Sequence, residues 1–138
     1  MDNCIFCRIV KGEVPSYKVW EDEKHLAFLN IHPMKEGHVL VIPRKHFSYL
    51  FDMPDPDYAQ LMSAVKAVSH LIKESFKPES DKVGMIVYGL DVDHVHVHLA
   101  PLDERGELSL ANSKPASDEQ LRGVLHKFRR NLPFDMPS

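Results

Sequence analysis

The chain has 138 residues, 43% hydrophobic and 27% charged, a composition that fits one globular domain over 1–138 with a real core. Its net charge is −3 with histidines neutral and it has no dense run of Lys or Arg, which argues against a polynucleotide partner and leaves small anions open. No apolar run is long enough to cross a bilayer, and the first residues lack the basic start and apolar stretch of a signal peptide, so a cytoplasmic protein is expected.

In chain order, Cys4 to Val10 predicts one or two helical turns that end at Lys11-Gly12, and Pro15 forces an extended connection. Cys4 and Cys7 stand at Cys-x-x-Cys spacing, which in a reducing compartment points to metal or redox chemistry before a disulfide. Ser16 to Trp20 and His25 to Asn30 predict a hairpin around the polar turn Glu21-Asp22-Glu23-Lys24. The β-branched run His38 to Ile42, closed by Pro43, predicts a central strand covered on both faces, with His38 at its start.

Asp55 followed by Pro56 predicts a helix with Asp55 as N-cap and Pro56 at the first helical position. Tyr58, Leu61, Met62, Val65, Val68, Ile72 and Phe76 continue it as one apolar stripe, and the helix stops before Pro78. His70 lies off the stripe and is expected in solvent, as is His126 further on. Lys82 to Tyr88 predicts a strand, Gly89-Leu90-Asp91 a turn, and the stretch after it a second strand antiparallel to the first. Beyond Pro101, Asp103 to Ala116 is polar and irregular, with no chemistry in its composition. Ser117-Asp118-Glu119-Gln120 matches a capping box, with Leu121, Val124, Leu125 and Phe128 forming an amphipathic helix behind it. Hairpin, strand, helix, two strands and helix together predict an α+β domain with an antiparallel sheet.

The chemistry concentrates in His94-Val95-His96-Val97-His98-Leu99. In an extended chain alternate side chains face opposite ways, so the three imidazoles share one face and Val95, Val97 and Leu99 the other. A lone histidine there would be read as packing or as a pH-responsive group. Three in register leave two chemical readings: ligands of one metal ion, or one nucleophilic ring with neighbours that orient it and carry protons. Spacing alone does not choose between them.

Three separated features give the chain a resemblance to the histidine triad (HIT) superfamily of nucleotide hydrolases and transferases. They are His94-Val95-His96-Val97-His98-Leu99-Ala100, the stretch from Asn30-Ile31-His32-Pro33 through Gly37-His38 to His46, and Cys4-Ile5-Phe6-Cys7-Arg8-Ile9-Val10. They lie within residues 4–101, and the segment 102–138 matches no motif. The resemblance implies a HIT-like fold: a five-stranded antiparallel sheet, a central helix, a C-terminal helix and a homodimer that joins two sheets.

The resemblance also implies roles. His96 is the nucleophile that attacks the α-phosphorus, His98 contacts phosphate oxygen or assists the leaving group, and His38 orients the cluster. Ile5, Phe6, Ile9, Phe28, Asn30 and Ile31 form a base and ribose pocket, with Asn30 where many relatives carry Asp. Sequence does not separate lining from plain core among the apolar members. Cys4, Cys7, His46 and His94 are the ligands of a structural zinc in zinc-bearing relatives, with two buried apolar cysteines as the alternative. His94 would then serve both sites, and no catalytic metal is expected.

One departure concerns substrate. Many relatives read Gly-Gln-Ser or Gly-Gln-Thr where this chain has Gly89-Leu90-Asp91. Asp91, if turned into the site, would favour an amine leaving group over a polyphosphate; otherwise it caps the turn and faces solvent.

The expected function is hydrolysis of an AMP-type nucleoside 5′-monophosphate derivative through a nucleotidyl-histidine. A histidine of ordinary pKa predicts activity that falls below about pH 6.5. Alternatives are asymmetric cleavage of dinucleoside polyphosphates, nucleotidyl transfer to another acceptor, a purine-nucleotide-binding regulator with negligible turnover, or a metalloenzyme centre at the histidine row.

Overall fold

The computed structural model describes residues 3–130, so the last part of the segment 102–138 lies outside the described residues. Helix α1 spans Ile5–Val10, and strands β1 (Lys18–Glu21), β2 (His25–Leu29) and β3 (Val39–Pro43) follow as an antiparallel meander. Helix α2 (Asp55–Phe76) leads to β4 (Lys82–Ile86) and β5 (Val97–Leu102), and helix α3 (Asp118–Arg129) closes the fold. The sheet order is β1-β2-β3-β5-β4, so β5 inserts between β3 and the edge strand β4.

Period-two alternation divides the buried side chains between two layers. Ala27, Leu29, Val39, Val41, Val97 and Leu99 face α2 and α3, which contribute Leu61, Val65, Val68, Ile72, Leu121, Leu125 and Phe128. Leu26, Phe28, Leu40 and Ile42 face the other way and pack with Phe6 of α1. The register sets Phe28 beside Leu40, Leu40 beside His98 and His98 beside Ile86, so one row of side chains crosses four strands. That row is the floor on which the site is built.

The expected starts of α2 and of the last strand both move. The α2 N-cap position is Pro54, whose carbonyl accepts the N–H of Tyr58; Asp55 is the first helical residue and makes no capping bond. Its charge still complements the helix N-terminus. The strand expected from His94 starts at Val97, because His94 N–H turns back to Val92 O and Val95 N–H reaches Phe47 O outside the ladder. The imidazoles nonetheless share the α1 side. The Ser117–Gln120 capping box forms as expected, and His70 and His126 are exposed. No helix among the described residues is long and apolar enough to cross a membrane.

Gly37 ends the turn that delivers His38. Its φ is +95°, and a Cβ there would lie 2.9 Å from Cδ and Cγ of Pro101. Gly37→Ala is therefore expected to cost about 2–4 kcal/mol, from left-handed strain plus overpacking. A lower urea midpoint at unchanged slope would show it, and a midpoint equal to wild type would contradict it.

Candidate active site and metal cluster

Burial puts the four expected catalytic histidines in a nearly dry place: His38, His94, His96 and His98 are each at most 3% exposed. A buried imidazole must find partners for its nitrogens, and these bonds set the tautomers. The Met34 N–H donates to His38 Nδ1 at 3.0 Å, so the proton of His38 sits on Nε2. His38 Nε2–H then donates to His98 Nδ1 at 2.9 Å. His98 must carry its own proton on Nε2, a buried atom with no hydrogen-bond partner among the described residues.

His96 is ordered the opposite way. Its Nδ1–H donates to the main-chain oxygen of His94 at 2.7 Å, which leaves Nε2 with a free lone pair. Its ring packs edge-on against His98, with centroids 5.1 Å apart, and against Phe6 of α1 at 5.2 Å. The pair thus combines an unprotonated nitrogen on one ring with an unsatisfied N–H on the next. This is what an electrophile carrying oxygen atoms requires: a nucleophile and a donor for developing charge. His38 is buried, and its Nε2–H fixes the tautomer of His98.

Burial also disfavours the charged imidazoles. It pushes His38 down to about 3, with His98 opposing it further, and His98 down to about 4, where His96 lowers and Asp91 raises. Burial likewise lowers His94, against the pull of the Pro43 carbonyl. Unfolded histidine titrates near 6.5, so below that pH the unfolded chain binds protons that native His38 and His98 refuse until about 3 and 4. Stability is therefore fully present above about pH 6.5 and is lost as pH falls, at up to about 1.4 kcal/mol per pH unit for each such histidine. Urea midpoints measured in chelator should be lower at pH 5 than at pH 7; equal midpoints would contradict this.

Of the four histidines, His96 and His98 line a pocket of about 870 Å³, and so does every residue expected to contact nucleotide. Ile5 and Ile31 are 39% and 53% exposed and so line the cavity, whereas Phe6 and Phe28 are buried, with rings 5.6 Å apart, as its packed floor. Asn30 and Asp91 share the pocket with His96 and His98. Ser109, Leu110, Ala111 and Ser113 also line it, from the loop whose composition carried no signal. Backbone bonds from Lys114 N–H to Pro33 O and from Ala116 N–H to Ile31 O pin that loop in place. Only the tertiary fold reveals it.

Cys4, Cys7, His46 and His94 converge next door, with one donor atom from each lying within 4.8 Å of the others. His94 Nδ1 is 3.3 Å from Cys4 Sγ and 3.5 Å from Cys7 Sγ, and His46 Nδ1 is 3.2 Å from Cys7 Sγ. A tetrahedral ion with ordinary sulfur and nitrogen bond lengths needs edges of about 3.6 Å, so the set fits with little movement. His94 donates Nε2–H to the Pro43 carbonyl at 2.8 Å, which turns the Nδ1 lone pair toward the sulfurs. Burial and the neighbouring Cys4 push the Cys7 thiol up, an unfavourable pairing that a bound cation would reverse.

A family model described as "HIT domain" matches residues 11–105. The adenosine 5′-monophosphoramidase HNT1 of Candida albicans is 38% identical over 134 residues, covering 91% of this chain and 88% of that protein. Among solved structures, a Hit-like protein involved in cell-cycle regulation from Bartonella henselae superposes with TM-score 0.82 at 28% identity, covering 96% of this chain and 98% of its own. A zinc-bound histidine triad family protein from Mycobacterium smegmatis does so with TM-score 0.75 at 28% identity, covering 94% and 95%.

Proposed function

Since the chain belongs to the HIT domain family, we propose that it hydrolyses nucleoside 5′-monophosphate derivatives, with a phosphoramidate of AMP as substrate and His96 as nucleophile. The observation that carries this reading is the opposed tautomers of His96 and His98 at one pocket wall. Neutral His96 Nε2 attacks the α-phosphorus, a phosphorus–nitrogen bond to the ring forms, and the bond to the leaving amine breaks as that amine takes up a proton. His98 Nε2–H holds a phosphate oxygen or supplies that proton, and His38 keeps it in the donating tautomer. Water then attacks phosphorus, the bond to His96 breaks, and AMP leaves. Ile5, Phe6, Ile9, Phe28 and Ile31 hold the base and Asn30 the sugar. The name of the Candida relative supports adenosine and the amine leaving group.

Zinc belongs to the same proposal. Cys4, Cys7, His46 and His94 would hold it, and the four-donor set is closed, so the ion would supply a cross-link between α1 and His94, two residues before the nucleophile. A homodimer is proposed as well. The edge strand β4 and the turn after it expose Met85, Val87, Tyr88 and Leu90, a surface suited to a second copy. Light scattering should give twice the 15.8 kDa chain mass.

Asp91 is proposed to favour an amine leaving group, because a carboxylate near His98 repels a polyphosphate and attracts a cation. Asp91→Ser should shift the ratio of phosphoramidate to dinucleoside polyphosphate turnover about tenfold toward the latter; an unchanged ratio would remove Asp91 from specificity. The central claim is tested by incubating protein with AMP phosphoramidate, quenching in alkali and measuring intact mass. A nucleotidyl adduct is expected. AMP binding with neither adduct nor turnover would instead make the protein a nucleotide-binding regulator.

A further inference from the structure

The two cysteines differ in what can reach them. Cys7 is buried, whereas Cys4 is half-buried and lines a separate cavity of about 400 Å³ with Asn3, His46, Asp91 and Asp93. That space gives a molecule the size of water a way to the Cys4 sulfur. Cys4 Sγ also accepts the Cys7 N–H at 3.3 Å, so its side chain already folds over Cys7 at the start of α1. Both sulfurs belong to the donor set that fits within 4.8 Å, and a bond between them would join residues only three apart in the chain. One reachable sulfur with a sheltered one beside it is the arrangement of an attacking and a resolving thiol.

We infer that Cys4 and Cys7 are a site of reversible oxidation by hydrogen peroxide, which joins them as a disulfide, releases the ion and slows His96; this rests on the zinc reading above. The Cys4 thiolate attacks one peroxide oxygen, the O–O bond breaks, and hydroxide takes a proton from solvent and leaves as water, with a sulfenic acid on Cys4. The Cys7 thiolate attacks the Cys4 sulfur, the S–S bond forms, the S–O bond breaks, and a second water leaves in the same way. The sulfurs give up two electrons, peroxide takes them, and the ion keeps its charge. A disulfide offers no thiolate, so only His46 and His94 remain of the four donors. The change reaches the nucleophile through His94, whose Nδ1 lies 3.3 and 3.5 Å from the sulfurs and whose main-chain oxygen holds the His96 proton at 2.7 Å. Phe6, between the cysteines in sequence, packs on the rings of His94 and His96 with centroids 5.9 and 5.2 Å away.

Hydrogen peroxide added to the zinc-loaded protein, beside the Cys4→Ala/Cys7→Ala double variant, tests this. Zinc release is followed with a chromogenic chelator, linkage by peptide mass, and turnover with AMP phosphoramidate. Wild type should release about one zinc per chain as the peptide carrying Cys4 and Cys7 loses the mass of two hydrogens, and turnover should fall about tenfold. Dithiothreitol with added zinc should restore it, which separates a disulfide from methionine sulfoxide, since dithiothreitol leaves the latter in place. The variant, already slow, should be unchanged by peroxide. Zinc retained with both thiols intact, a disulfide between two chains, oxidation that dithiothreitol does not reverse, or an equal loss of turnover in the variant would overturn the inference. Zinc lost to the disulfide with turnover unchanged would overturn its link to His96. Wild type that carries no zinc before peroxide would overturn the metal reading first, and this inference with it.

Discussion

The His96→Ala variant is expected to lose on the order of 10⁴-fold or more in hydrolysis of an AMP phosphoramidate, with AMP affinity changed only several-fold. Catalysis through a covalent intermediate has no detour when the attacking atom is gone, since no other imidazole in the cluster has a free lone pair. His38 Nδ1 accepts from Met34 N–H, His98 Nδ1 accepts from His38, and His94 Nδ1 lies among the cysteines. Binding depends on other groups, because the floor of the pocket is Phe6, Phe28, Leu40 and Ile86. Loss of the adduct should accompany loss of turnover. His98→Ala should fall less, by about 10²–10⁴-fold, the span of a well-placed acid or donor. A His96→Ala protein that retains a tenth of wild-type turnover would place the nucleophile elsewhere.

Replacing Cys4 and Cys7 together by Ala is expected to abolish binding of about one zinc per chain and to lower Tm by about 10 °C or more. The stability figure assumes a loss of about 3 kcal/mol, well below the binding energy of an autonomous zinc finger, because two packed layers remain without the ion. The variant should also turn over more slowly, by about tenfold, with a smaller change in KM. His94 explains the link: its ring faces the sulfurs while its main-chain oxygen holds the Nδ1 proton of His96. Phe6, between the two cysteines in sequence, touches the rings of both histidines. Metal analysis and differential scanning calorimetry on the same preparations check the prediction. Unchanged Tm together with no zinc in the wild type would reduce the cluster to one buried and one half-buried thiol packed beside histidines.

Much of this site was legible because its signals are local. The alternation of His94, His96 and His98 with valine and leucine needs only the period of an extended chain, and it survives although the strand begins at Val97. The spacing of Cys4 and Cys7 likewise announces a shared function, and all four expected donors converge. Other features depend on contacts between distant segments and left no trace in the pattern. Nothing about Ser109 to Ser113 marks a pocket wall, since that role comes from backbone bonds to residues 31 and 33. The tautomers are similarly a product of folding, because that of His38 is set by the Met34 N–H in the turn before it, that of His98 by His38 from a distant segment, and that of His96 by the His94 carbonyl. Asp55 shows the reverse error: a good capping residue stood beside the cap, and Pro54 took the position because its carbonyl was the first to be used.

The insertion of β5 between β3 and β4 governs when the site can exist. β1, β2 and β3 are consecutive in the chain and can pair early, but β3 stays without its second neighbour until α2 and β4 have passed and residues 97–102 arrive. The His38–His98 bond spans 60 positions in the chain, so its loop must close before any of its energy is recovered. Refolding should therefore show structure before competence: fluorescence of Trp20, in β1 of the early meander, should recover ahead of nucleotide binding. During synthesis the same order leaves a nascent chain with an unpaired edge at Val39–Pro43 until its last third has emerged, the interval in which a chaperone would find it.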